Sequence, residues 1–307
     1  MSGSKFFIRL LVVLAFVAVL DLLCHFAMDP IRKKALQTKP DNYEMTSYYG
    51  VEMATEDILV LGASTATHHY IPSVLEDSLH MSARNIGKDG AFLYCQICQL
   101  SLILKRYVPE LIIWDIDDDC LSHNLDWGDY MEIRDYWPYP LNGFSRAVLK
   151  EMGPSERVSH LSWLYRYNSK LPEYLFAFIS GRNSLAGYVP LPAENAYATE
   201  IDDTKAAESI HPLKAELLER VLTLCQEKGC RVVLFTSPHL ADDGILESEQ
   251  YRRLCDITNR LGVPYFNYHE DPRFFGDFSL FRDADHLNEN GAALFTQCVI
   301  HDIRGQL

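Results

Sequence analysis

Short, almost wholly apolar runs that alternate with helical patterns predict a three-layer α/β/α domain around a parallel sheet. Three observations carry this. "DILVLGAS" (57–64), "PELIIWDID" (109–117) and "RVVLFTSP" (231–238) are apolar on both faces, as strands covered on both sides must be. Helical stretches separate them, ruling out direct hairpins. Each of the three runs also gives way to small or polar residues at its C-terminal end, where open α/β sheets place their sites.

Taken in order, the chain opens with residues 6–28, apolar except for Arg9, Asp21 and His25. The uncharged heart, "LLVVLAFVAVL" (10–20), matches a signal-peptide core, but the whole stretch is long enough to span a bilayer. No A-x-A cleavage site follows. Residues 1–28 therefore read as an uncleaved signal anchor, a transmembrane helix, and 29–56 as a polar tether. Flanking charges do not orient it, since Lys5 and Arg9 are answered by Arg32, Lys33 and Lys34.

The domain itself is expected over 57–307. After the first strand come a helix over 71–80 with Pro72 early in it, a short strand and turn in "SARNIGKDG", and a long helix over 91–106. The third strand follows Pro109. From about 120 to 210 the alternation breaks into an aromatic-rich insertion. In it "DWGDYMEIRDYWPYPLNGF" reads as loop and "LSWLYRYNSKLPEYLFAFI" as an amphipathic helix, with packing a commoner use of such aromatics than sugar binding. Alternation then resumes with a helix at 212–228, strand 231–238, a helix near 247–261, strand 264–268 and a last helix from about 290.

Composition limits the function. A net charge of −14 argues against nucleic acid as a partner. Of the eight cysteines, Cys95 and Cys98 make a CxxC, but their spacing fits two buried small residues on one helix face. No zinc set completes it.

Three features fall beyond strand ends: Ser64 after the first, Gly87 and Gly90 after the second, and His286 after the last. A serine at a strand-to-helix turn exposes its hydroxyl among backbone N–H groups suited to an oxyanion. A histidine from the far end of the chain can take its proton. Asp283, three residues earlier, can hold that imidazole in the productive tautomer, and the adjacent Asp285 ranks second for this role. This arrangement requires Ser64 and His286 to lie within about 4 Å of each other. His68 and His69 could be metal ligands with Asp115 or Asp117, but read better as polar residues on the surface of the first helix.

"LGAS", "NIGKDG" and "DADHLNENGAALF" resemble blocks I, II and V of the SGNH (GDSL-like) hydrolase superfamily, over about 57–118 and 212–303. With the anchor, the layout is similar to membrane-anchored SGNH-like proteins of bacterial envelopes. The resemblance implies a flavodoxin-like fold, Ser64 as nucleophile, His286 as base, Asp283 as its carboxylate, and an oxyanion hole from the Ser64 and Gly90 N–H groups. It implies an esterase or O-acyltransferase acting on acyl esters (acetyl foremost) of glycans or lipids, outside the cytoplasm, with no metal or organic cofactor. Block III departs from the pattern. Where the family carries Gly-x-Asn-Asp, this chain has "WDIDDDCLSHN", offering Asp117, Asp118 or the more distant Asn124. The rival expectations are a degenerate SGNH domain that binds a glycan or assembly partner, and an unrelated α/β binding domain.

Overall fold

A computed structural model of the chain describes residues 3–122, 132–168, 170–179, 183–193, 209–242 and 244–306. Five strands form one sheet: β1 (Ile58–Leu61), β2 (Ala83–Asn85), β3 (Leu111–Asp115), β4 (Arg231–Thr236) and β5 (Tyr265–Asn267). They lie in the order β2-β1-β3-β4-β5 and every pair is parallel. This is the flavodoxin-like doubly wound order, and its direction of winding reverses between β1 and β3.

The strand sequences explain the layering. Successive side chains point to opposite faces, so Leu59, Leu61, Ile112 and Trp114 feed one core, and Ile58, Val60, Leu111 and Ile113 the other. The first core is closed by α5 (Leu93–Arg106), α10 (Pro212–Glu227) and α11 (Glu249–Leu261). The second packs under α4 (Pro72–Leu79) and α12 (Glu289–Arg304), with the short α3 (Ser64–His69) at its top. Cys95 and Cys98 are buried on α5, as a packing role requires.

The N-terminal region departs from expectation. One helix, α1, runs from Gly3 to Thr38, and α2 follows over Thr46–Glu52. The helix is long and apolar enough to cross a membrane, and its most apolar window is wholly exposed. Residues 29–56 are therefore not an irregular tether. Met28, Ala35 and Leu36 recur at helical spacing and pack with Met45, Tyr48, Tyr167 and Tyr174. The charge that made this segment look solvated is partly buried: Arg32 pairs with Asp29 and Glu52 and lies over the Tyr139 ring.

The insertion is more helical than its composition implies. It holds α6 (Gly143–Glu151), α7 (Pro154–Ser159), α8 (Trp163–Arg166) and α9 (Lys170–Ile179). "LSWLYRYNSKLPEYLFAFI" is thus two helices, with α8 capped by the Ser162 hydroxyl, which accepts the Tyr165 N–H. Of the expected loop, residues 126–131 lie outside the described residues, while Ile133, Tyr136 and Trp137 are buried in the domain core.

Candidate active site

Ser64 is the first residue of α3, delivered by the turn that ends β1. The turn needs Gly62. Its φ is +155°, and a Cβ there would sit 2.7 Å from the Asp115 carbonyl oxygen. That close approach lets β1 turn directly over β3, at the point where the winding reverses.

His286 arrives on the loop before α12. Its Nε2 lies 2.7 Å from the Ser64 Oγ and its Nδ1 lies 2.8 Å from Asp283 Oδ1. Asp283 also accepts the backbone N–H groups of Asp285 and His286, at 3.0 and 2.9 Å. The carboxylate thus holds the loop and, by accepting the Nδ1 proton, leaves Nε2 free to accept the serine proton. Burial alone would raise the Asp283 pKa, but hydrogen bonding and charge from His286 outweigh it and lower it below 3.8. Burial alone would lower the His286 pKa; its bond to Asp283 and that negative charge win, raising it above 6.5.

Gly90 takes φ +74° in the loop after β2. Among the described residues neither the Ser64 N–H nor the Gly90 N–H has a hydrogen-bond partner. The neighbouring Asp89 N–H, by contrast, donates to the Tyr43 hydroxyl at 2.9 Å. Lys88 is buried and its ammonium is bound to Asp135 at 2.7 Å, which Lys170 of α9 also holds. The glycine loop is therefore fixed from the N-terminal region and from the insertion at once.

The two histidines after Ser64 are not surface residues: both are buried. His68 donates from Nδ1 to the Val189 carbonyl at 2.6 Å, and its Nε2 faces Asp89 at 3.4 Å. The Nε2 of His69 accepts the Leu287 N–H, which leaves a proton on Nδ1 for the Ser237 hydroxyl at 2.9 Å. Ser237 in turn donates to Asp115 at 2.5 Å. Burial pushes the Asp115 carboxyl up to about 7, with the Ser237 hydrogen bond opposing it. Asp115 therefore stands two bonds from His69 and belongs to a relay beneath the site. Among the described residues no group of three or more His, Cys, Asp or Glu side chains is placed to hold a metal ion.

The acidic residue that stands where the resemblance expects an amide has a structural partner. Asp118 is buried and its Oδ2 lies 2.8 Å from His269 Nδ1, so this carboxylate serves the loop after β5. Asp117 is half-buried, and Asn124 lies outside the described residues. Asp285 is exposed and faces His239, with Oδ1 3.5 Å from its Nδ1, while the same His239 ring stacks on His269 at 4.1 Å. Sequence reasoning missed His239 and His269, because neither sits in a motif. The one hint was an acidic residue where an amide was expected.

No protein-family model matches this chain, and neither does any curated protein. Among solved structures it is similar to an acetyl xylan esterase, with TM-score 0.43 and 10% identity over 80% of this chain and 98% of that one. It is similar also to a lipase/acylhydrolase from Enterococcus faecalis, with TM-score 0.41 and 13% identity over 81% and 96%. A family two carbohydrate esterase from Clostridium thermocellum, solved with cellohexaose, matches with TM-score 0.40 and 10% identity over 81% and 63%.

Proposed function

We propose that the chain is a serine-dependent esterase or O-acyltransferase of SGNH type, held at the membrane by α1. The carrying observation is the unbroken Asp283–His286–Ser64 hydrogen-bonded series, with both contacts under 3 Å. In this reading Ser64 Oγ attacks the ester carbonyl while His286 Nε2 takes its proton. The Ser64 and Gly90 N–H groups, free of other partners among the described residues, receive the oxyanion. Collapse expels the alcohol, which takes the proton from the imidazolium. Water or a sugar hydroxyl then loses a proton to His286 and attacks the acyl-serine, and collapse releases the acyl product as the Ser64 oxygen takes that proton back from His286. Asp283 stays ionised throughout, consistent with its lowered pKa.

The substrate class proposed is an acyl ester, acetyl foremost, on a glycan or lipid of the cell envelope. The exposed apolar length of α1 supports a membrane anchor, and the resemblance to membrane-anchored SGNH-like envelope proteins favours the extracytoplasmic side. A fluorophosphonate probe on the full-length protein tests the nucleophile. Labelling should occur and should vanish in both Ser64→Ala and His286→Ala. No labelling of the folded wild type would favour the second reading, a glycan-binding or assembly domain without turnover. That alternative rests on Asp118, which occupies the region of the missing block III amide and is committed to His269. Losing one oxyanion donor lowers kcat by about 10²–10³ in other enzymes.

A further inference from the structure

The insertion meets α1 at a depth that its surface chemistry explains. Asp21 of α1 accepts hydrogen bonds from the Ser162 hydroxyl at 2.5 Å and the Leu164 N–H at 2.9 Å. One turn later His25 stacks on the Trp163 ring, with centroids 3.8 Å apart and planes 20° apart. The segment around α8 is thus clamped to α1 between Asp21 and His25.

The apolar stretch 6–28 is about 34 Å long at 1.5 Å per residue, against a hydrocarbon core of about 30 Å. Centring that stretch in a bilayer puts Asp21 about 6 Å past the midplane, inside the core. Ending the span earlier, at Leu20, still leaves Asp21 at the boundary. In either placement Ser162, Trp163 and Leu164 meet lipid. Their sequence neighbours suit it: Val158 is 69% exposed and Leu161 75%, with Leu164 itself at 44% and Phe26, next to His25 in α1, at 65%. Several exposed apolar side chains along so short a segment mark an interaction surface. Trp163 carries the Arg166 guanidinium over its ring at 4.1 Å, and Arg157 is exposed next to Val158. An aromatic paired with cations beside apolar side chains suits the headgroup layer. The two donors to Asp21 also supply what an acidic side chain at that depth requires.

We propose that residues 154–166 form a second membrane contact, seated in the outer leaflet of a phospholipid bilayer beside α1. This rests on the reading of α1 as an anchor. The insertion then fixes the height and tilt of the domain over the membrane, so that the site serves esters held at or near the lipid surface.

The test uses the full-length protein in phosphatidylcholine–phosphatidylglycerol vesicles that contain a phospholipid with a diazirine on its acyl chain. After irradiation and trypsin, lipid adducts are mapped by mass spectrometry. Adducts are expected on α1 and on the 158–166 peptide, with α11 as the unlabelled reference. In Leu161→Glu/Leu164→Glu the 158–166 adducts should fall to the level of α11 while those on α1 persist. Adducts on α1 alone in the wild type, or 158–166 adducts unchanged in the variant, overturn the second contact. Absence of adducts from α1 as well removes the anchor, and the second contact with it.

Discussion

His69 Nε2 accepts the backbone N–H of Leu287 at 2.9 Å, one residue beyond His286. The bond ties the helix that starts with Ser64 to the loop that carries its partner, so the short Ser64–His286 distance is built into the scaffold. Burial, reinforced by the nearby His286, holds the His69 pKa well below 6.5, and the ring stays neutral at working pH. His69→Leu should leave the Leu287 N–H without its acceptor and take the His69 donor from the Ser237 hydroxyl, which keeps Asp115. Each buried unpaired group costs about 1–3 kcal/mol, so thermal melting should fall along with ester turnover. His69→Gln, which can still accept and donate, should recover part of both. Equal stability for all three proteins would show that this bond does not hold the loop.

The acidic turn yields a comparison of two neighbours. Asp283→Asn should lower kcat strongly while the melting temperature changes little. The matching change in a Ser-His-Asp triad of another fold costs about 10⁴. A smaller loss is expected here, because the Asp283 side chain is 43% exposed. Asp285→Asn should have little effect on turnover, since Asp285 faces His239. Steady-state kinetics on both variants decide it, and a large loss from Asp285→Asn alone would exchange their roles.

The pH profile follows from His286. In the proposed mechanism its neutral form is the base, and its pKa is raised above 6.5, so kcat/KM should climb with pH to a midpoint above that value. Asp283→Asn should move the midpoint down by removing the partner charge. Stability runs with a different sign. The raised histidine pKa contributes stability that is complete below 6.5 and lost as pH rises through the folded value. The lowered carboxyl pKa contributes stability present above 3.8 and lost as pH falls through its folded value. The pair therefore stabilises most between these limits. An activity midpoint below 6.5 in the wild type would contradict the pairing.

Asp115 gives the opposite slope. Its folded pKa, about 7 against 3.8 ordinarily, means the unfolded chain ionises first. Stability should therefore fall as pH rises from about 4 to about 7, and Asp115→Asn should flatten that decline. Melting curves across the window read the effect directly. An unchanged slope in the variant would show that Asp115 ionises normally within the fold.

What the sequence made legible was what local pattern encodes. Two-sided apolar strands predicted the parallel sheet, and the turns after them brought forward Ser64, Gly90 and His286. The 29–56 segment misled because polarity was read as solvation, whereas Arg32 is buried among Asp29, Glu52 and Tyr139. His68 and His69 misled for the same reason. Their burial depends on Val189, Ser237 and Leu287, partners more than a hundred residues away. No periodicity within a short helix reports such contacts. The pairing of Asp118 with His269 was hidden likewise, since β3 and the loop after β5 meet only in the folded sheet.

The grip of Tyr43 on Asp89, and of Lys88 and Lys170 on Asp135, bears on where this domain could be cut. A soluble version trimmed to the strand-defined boundary at Asp57 would take the Tyr43 hydroxyl from the Asp89 amide, beside the glycine proposed for the oxyanion hole. Excising the insertion would take the Asp135 carboxylate from the buried Lys88 ammonium. The smallest portable unit therefore starts ahead of Tyr43 and keeps the insertion whole, so what looks like a module with two accessories is inherited or lost as one piece.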